Sequence, residues 1–384
     1  MFMLEPDRER MAPTDSDDCL EVPAVTDSDL VAADRRRGRG AALNRSGRYE
    51  CQSRTSFDDG WDTLEDLPPL KTTVQEEKAR TIITRNSSPD ISFDRSINPY
   101  RGCEHGCIYC FARPTHAYMG LSPGLDFETR LFAKPNAAEL LERELARPGY
   151  VPRTIAIGTN TDPYQPIERR YALMREILEV LDRCNHPVGI VTKSALILRD
   201  ADILERMAAR GLAKVALSVT TLDKSLARMM EPRASAPHKR LGAVKTLAAA
   251  GIPVAVMMAP VIPALTDCEI ETIVETAADH GASEAGYILL RLPLEVSDLF
   301  RDWLLRNRPD RYRHVMNVLR SMRGGKDYDP EWGTRMKGKG PYADQIGKRF
   351  ALAARRFGLN QRRRKLDCDS FRPPLIGDVQ LSLF

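Results

Sequence analysis

Val188-Gly-Ile-Val-Thr192 and Lys214-Val-Ala-Leu-Ser-Val219 bracket a helical stretch that starts at Asp200 and stops at Gly211. Both runs are short, β-branched and apolar at consecutive positions, the pattern of parallel strands buried on both faces. Strand, helix and strand make one β/α unit, and the unit recurs in both directions along the chain. Thr154–Gly158 precedes it; Pro253–Met258 and Ala285–Leu290 follow it. Between these runs, Asn136 with Glu139 and Thr266 with Glu269 have capping-box spacing, and Gly281 supplies a helix stop. With the region around Asp90–Ile97 as the first strand, six units occupy about 230 residues, whereas a full eight-unit barrel typically takes ~250. The pattern predicts an α/β fold built as a partial (β/α)6 TIM-like barrel, with a doubly wound open sheet as the alternative. In either fold, ligands bind at the C-terminal ends of the strands.

The chain has 384 residues, 42% hydrophobic and 29% charged, enough apolar content for an ordinary globular core. Its net charge of +4 does not announce a nucleic-acid partner, but the charge is unevenly spread. Residues 1–30 carry nine Asp and Glu against two Arg, while residues 335–365 carry eleven Lys and Arg against Asp344 alone. Residues 1–80 lack periodicity and read as a largely disordered arm, disordered over about the first 40. Arg37 to Trp61, with Tyr49, Phe57 and Trp61, is placed to lie extended over the main domain. Residues 81–325 read as the catalytic core, and 326–384 as a basic C-terminal extension. The acidic N-terminus lacks the features of a secretory signal. The longest uncharged stretch, Thr246 to Leu265, is cut by Gly251, Pro253, Pro260 and Pro263, which argues against a membrane span. Eight cysteines, three of them clustered, suit a reducing cytoplasmic setting better than a disulfide scaffold.

The clustered cysteines follow the first strand in Asn98-Pro-Tyr-Arg-Gly-Cys103-Glu-His-Gly-Cys107-Ile-Tyr-Cys110-Phe-Ala-Arg113. Thiolates at C-x3-C-x2-C spacing can ligate three irons of a [4Fe–4S] cubane and leave the fourth open. Gly102 and Gly106 allow the tight backbone path this needs. A zinc site is the competing reading, with a fourth ligand from His105 or His116. Cys19, Cys51, Cys184, Cys268 and Cys368 are scattered; Cys184 and Cys268 fall in helical stretches and read as core thiols.

The triplet, with Tyr109 before its last cysteine and repeated β/α units behind it, resembles the radical S-adenosylmethionine (SAM) superfamily over roughly residues 90–325. Tyr109-Cys110-Phe111, Thr159-Asn-Thr-Asp162 and Val191-Thr-Lys193 are similar to the spore photoproduct lyase group and to bacterial proteins named DNA repair photolyases by analogy. The resemblance implies a cytoplasmic enzyme with a [4Fe–4S] cluster on Cys103, Cys107 and Cys110, SAM bound at the open iron, and a flavodoxin- or ferredoxin-type reductant. It places Tyr109 near the adenine, and Asn160, Thr161 and Asp162 near the SAM amino group. Asn-Thr-Asp-Pro also initiates turns without any ligand. Lys193 is placed to bind a carboxylate or ribose hydroxyl, Ser218 and Thr220 share a face toward the ribose, and Arg233 is a candidate carboxylate clamp. Lys193 also reads as a solvated strand end, and Arg233 as a surface residue at a helix start. Tyr287 and Arg291 are weaker candidates on the sixth strand.

Two positions depart from the lyase pattern. Those enzymes use a cysteine ahead of the strand-end Asp as hydrogen donor, with tyrosines flanking the third cluster cysteine; here Thr159 and Phe111 stand in their places. A hydroxyl O–H bond is far stronger than a thiol S–H bond, so Thr159 cannot replace a cysteine donor. The expected function is radical SAM chemistry on a large substrate, with nucleic acid as the candidate class. Arg335 to Lys365, with Tyr342, Phe350 and Phe357, is the candidate phosphate-tracking surface; a solvated helix face is the plainer reading. The alternatives are a metal-dependent nucleic-acid-binding protein without radical chemistry and radical SAM modification of a protein or peptide.

Overall fold

The computed structural model describes residues 29–50, 68–362 and 364–374. Phe57, Trp61, Cys19, Cys51 and residues 1–28 of the stretch expected to be disordered lie outside the described residues, whereas residues 29–40 of that stretch are ordered, held by Arg39 and Gly40 on Glu128. In chain order the strands are β1 (Thr73–Glu76), β2 (Ile83–Arg85), β3 (Arg95–Ile97), β4 (Tyr100–Arg101), β5 (Arg130–Ala133), β6 (Ile155–Ile157), β7 (Val188–Thr192), β8 (Ala213–Ser218), β9 (Val254–Val261) and β10 (Glu284–Leu289). The main sheet has the order β10-β9-β8-β7-β6-β3-β2. Six of its strands run parallel, and only β2 is antiparallel to its neighbour β3. These six parallel strands are the six units read from the sequence. β10 and β2 are the sheet's two edges, so the fold is an open crescent, the partial barrel expected.

The helices are α1 (Asp126–Thr129), α2 (Ala137–Leu145), α3 (Glu168–Tyr171), α4 (Leu173–Arg183), α5 (Ala201–Ala209), α6 (Lys224–Met230), α7 (Pro237–Ala249), α8 (Ile270–Asp279), α9 (Glu295–Asn307), α10 (Tyr312–Ser321) and α11 (Pro341–Arg356). The covering helices bury one stripe each: α4 turns Met174, Ile177, Leu178 and Leu181 onto the sheet, at i, i+3, i+4 and i+7. They meet Ile155, Ile157, Val188, Ile190, Val215 and Leu217 in one continuous core. Each such side chain contributes about 1.5–3 kcal/mol by burial, and Leu178→Ala would cost roughly 2–5 kcal/mol. Cys184 is buried in this core as read, but Cys268 is exposed, because it lies in the turn that precedes α8 rather than on a covering stripe.

The three anticipated helix caps are used otherwise. Asn136 stands at the N-cap of α2 but makes no capping bond; its amide pairs with both backbone groups of Ala79. Asp200 precedes α5 and accepts from Tyr164 and Arg199 instead. Glu269 reaches Thr221 and the amide of Leu222. Each polar side chain satisfies a distant buried donor or acceptor, a stronger demand than an exposed helix end. Gly211 and Gly281, at φ of 71° and 88°, end α5 and α8 as read.

A second sheet of order β1-β5-β4 delivers the chain into Gly102 and the cysteine loop. At the other end of the chain, α11 buries Ile346 and Phe350, and Arg349 pairs with Glu271 on α8. Among the described residues, no helix is long and apolar enough to cross a membrane.

Candidate active site

The cysteine loop follows β4 at the C-terminal mouth of the crescent. Gly102 and Gly106 have φ of 74° and 66°, and a Cβ on either would come within 2.7 Å of Leu131 or Glu128. Cys103 is buried beside Ala112 and Phe127, with Cys110 packed against them. Its amide donates to Phe127 O at 2.9 Å, and the Ile108 amide donates to Met230 O at 3.0 Å. Cys103, Cys107 and Cys110 are all free thiols. Burial pushes all three thiols up, reinforced by Asp162 at Cys103 and by Glu231 at Cys107.

Arg113 clamps the loop from behind. Its fully buried guanidinium donates to Cys107 O at 3.0 Å, to Gly124 O at 2.9 Å and to Glu128 at 2.6 Å. Glu128 in turn accepts the amides of Gly40 and Ala41 at 2.8 and 2.9 Å. Residues 29–47 therefore form a strap across the loop. Gly40 lies so close to Gly106 that a Cβ would stand 1.8 Å from its carbonyl oxygen. Asn44 completes the seam by exchanging two hydrogen bonds with Asp126.

Asp162 joins the loop to the next strand ends. It accepts from Thr192 Oγ1 and the Lys193 amide at 2.7 Å each, and from the Tyr164 amide at 2.9 Å. Its Oδ2 lies 3.3 Å from His105 Nδ1. Burial alone would raise its carboxyl, but His105 and these donors outweigh it and hold the group at about 2.

A second buried carboxylate, Glu231, anchors the far side. It accepts from the Tyr109 phenol, from Thr220 Oγ1 at 2.8 Å and from Arg240. Arg240 also donates to Ser218 O at 2.9 Å and Ser235 O at 2.6 Å. Burial is overcome by the Arg240 and Lys193 charges, so the Glu231 carboxyl sits at about 2. Burial and the Glu231 charge push the Tyr109 phenol up. Lys193 Nζ stands 5.7 Å over the Tyr109 ring and donates to Ala259 O at 3.2 Å.

Tyr109, Lys193, Ser218 and Thr220 thus meet around Glu231 and Arg240, with Asp162 tied to the Lys193 backbone. Thr161 is turned away, donating to Tyr100 O at 3.0 Å. The Asn160 amide donates to Asn98 Oδ1 at 3.2 Å. Arg233 bonds Glu104 at 2.6 Å, and its amide reaches His105 O. Glu231, Arg240, Arg113 and Glu128 were absent from the sequence-based site. Glu231 stood in the motif Glu231-Pro-Arg233, where only the arginine was singled out.

The radical SAM superfamily profile matches residues 97–277, from β3 to α8. An uncharacterised protein of Mycobacterium tuberculosis (strain ATCC 25618 / H37Rv) is 40% identical over 230 residues, 59% of this chain and 68% of its own. The chain belongs to the radical SAM superfamily. An uncharacterised protein of Methanocaldococcus jannaschii is 29% identical over 221 residues, covering 58% of this chain and 79% of its own. Among solved structures, a spore photoproduct lyase variant superposes with a TM-score of 0.55 at 16% identity, over 74% of this chain and 80% of that one. Another variant of that lyase, solved with bound AdoMet and dinucleoside spore photoproduct, gives 0.52 at 16% identity over 74% and 78%. These likenesses show the shared fold. As a radical SAM protein, the chain is an enzyme whose superfamily employs a [4Fe–4S] cluster and SAM.

The donor set of this radical SAM enzyme fits such a group. Three thiols held protonated by burial and by nearby carboxylates gain most from cationic irons, which displace their protons. The loop approaches its neighbours through glycines, and the buried charges around it are already paired.

Proposed function

We propose that Cys103, Cys107 and Cys110 ligate three irons of a [4Fe–4S] cluster and that SAM is held between this loop and the ends of β6 to β8. The observation that carries the reading is one loop at the mouth of the crescent that holds three free thiols, Cys103 buried and Cys107 and Cys110 half-buried, with the Asp162 charge felt at Cys103. When bound, the cluster supplies the electron that cleaves SAM to methionine and a 5′-deoxyadenosyl radical. Asp162 orients Lys193 and, with Asn160, lies toward the SAM amino group. Thr220 and Ser218 face the ribose, Tyr109 sits at the adenine with its phenol fixed by Glu231, and Arg233 stands at the carboxylate end. Burial of Glu231 and Arg240 behind this surface keeps water from the reacting atoms.

Mononuclear zinc is the weaker alternative. A structural zinc ion would need a fourth protein ligand beside the three cysteines, and the Nδ1 of His105 is turned to Asp162 Oδ2 at 3.3 Å. His116 is also committed elsewhere, with Nε2 3.0 Å from Arg130 O. A low-potential flavodoxin- or ferredoxin-type carrier is the proposed reductant, and a polymeric, nucleic-acid substrate the proposed target. The lyase's hydrogen-donor route is not carried over, because Thr159 and Phe111 offer no thiol or phenol.

Anaerobic reconstitution tests the reading. Iron and sulfide should approach four each per chain, and dithionite with SAM should release 5′-deoxyadenosine. A fully loaded cluster that releases none would overturn it, as would zinc retained without sulfide.

A further inference from the structure

Arg291 follows the C-terminal end of β10, and Phe111 follows Cys110. They are 180 positions apart in sequence, yet the Arg291 guanidinium lies 4.7 Å from the Phe111 ring centroid. The contact ties the cysteine loop to the end of β10. A strand-end arginine is ordinarily paired with a carboxylate, and the acid whose charge it feels here, Asp90, is taken. Asp90 accepts from the Gly333 amide at 2.6 Å and from the Arg335 guanidinium. Among the described residues Arg291 has no carboxylate partner; its one polar contact is Nη1 to Met336 Sδ at 3.4 Å. Its Nε is buried with no hydrogen-bond partner. Phe111 is 43% exposed although its neighbours Cys110 and Ala112 pack inward.

Arg291 is half-buried and its guanidinium has no anionic partner among the described residues, and an exposed aromatic ring under a guanidinium offers no gain to the isolated fold beyond a cation–π contact. Together they are what a single-stranded nucleic acid uses: a flat face for a base and a fork of donors for a phosphate. A peptide carboxylate would satisfy the arginine but leave the aromatic face without a purpose. We infer that Arg291 and Phe111 form a subsite for one nucleotide of a single-stranded or splayed nucleic acid, with phosphate on Arg291 and base on Phe111. This deepens the proposed function and rests on its placement of the cluster beside Phe111.

The test is equilibrium binding of a fluorescein-labelled oligodeoxythymidylate 12-mer to the full-length apoprotein, followed by anisotropy over a salt series. Arg291→Gln should weaken binding about tenfold or more and lower the log-affinity against log-salt slope by about 0.7, the loss of one single-strand phosphate contact. Phe111→Ala should weaken it by about tenfold with the slope unchanged. Arg291→Lys should restore the slope but only part of the affinity. Arg143→Gln, on the solvent face of α2, controls for general charge, and circular dichroism melting controls for folding. No binding by the wild type, or unaltered affinity and slope in Arg291→Gln, would overturn the inference. So would Arg291-dependent binding of an acidic peptide with none of the oligonucleotide. The measurement uses apoprotein, so its failure is distinct from a failure of the radical SAM reading, which deoxyadenosine release by the reconstituted wild type tests on its own.

Discussion

Arg113 and Glu128 form an ion pair at 2.6 Å in which both side chains are wholly removed from solvent. The pair fixes two things that sequence separates: the backbone of Cys107 on the arginine side and the Gly40–Ala41 strap on the carboxylate side. A buried pair of this kind adds little net stability against an apolar substitute, but halving it leaves an uncompensated charge.

Glu128→Gln should therefore destabilise the apoprotein by about 3–5 kcal/mol. It should also speed proteolysis within residues 35–47, since the strap loses its carboxylate acceptor. Thermal melting and timed digestion check both effects. A melting temperature equal to wild type would mean that the pair does not hold the strap.

Alanine at Cys103, Cys107 or Cys110 should each abolish retention of iron and sulfide after reconstitution, while Cys184→Ala and Cys268→Ala should retain both. Cys184 is buried where α4 ends, and Cys268 is exposed just ahead of α8. Metal analysis decides this without any substrate. Full iron content in a Cys107→Ala protein would remove that residue from the ligand set.

Asp162→Asn should weaken SAM binding by an order of magnitude or more, because the loop loses the carboxylate that faces His105 and anchors Lys193. Acid should probe the same carboxylate together with Glu231. Both have folded values of about 2, below the ordinary carboxylate range. The unfolded chain thus takes up protons first as pH falls, and the stability they contribute is complete above about pH 4.5 and drains away toward pH 2. Denaturant titrations between pH 2 and 5 should show this loss in wild type and a shallower one in Asp162→Asn.

A separate acid transition should appear at higher pH. His116 and His186 are both buried, and burial lowers each to about 4. The unfolded imidazoles protonate near 6.5, so stability is full above that pH, falls as pH drops to about 4, and is flat below. Each histidine accounts for up to about 3 kcal/mol. His186 meets Tyr150 OH at 2.9 Å and Pro187 O at 3.1 Å, well away from the cysteine loop. His186→Gln should remove about half of this pH dependence; an unchanged slope between pH 6.5 and 4 would contradict the assignment.

Five of the six parallel strands were legible because each is a largely apolar run between helix signals, whereas β3, Arg95-Ser-Ile97, could be placed only as a region ahead of the cysteine loop. β7 spans the residues anticipated, Val188–Thr192. The three-stranded sheet was not legible: β1, β4 and β5 are short, polar at several positions and paired across long separations. The triplet could be read from local spacing, and Asp162 from its place at a strand end together with the radical SAM resemblance. Glu128 and Glu231 could not, since their meaning lies in Gly40, Arg113, Tyr109 and Arg240, which only the folded chain brings near. The same limit explains the helix caps, where tertiary donors outcompeted local ones.

The crescent's open side is spanned by a few side chains and one loop. Residues 333–336 bind β10 through the Leu289 amide at 2.9 Å and bind the β2–β3 turn through Asp90 and Ser88. Among the described residues, no ladder of backbone hydrogen bonds runs between β10 and β2. The two edges are thus joined by side chains and one loop rather than by backbone pairing, and the sheet itself ends at β10 and β2.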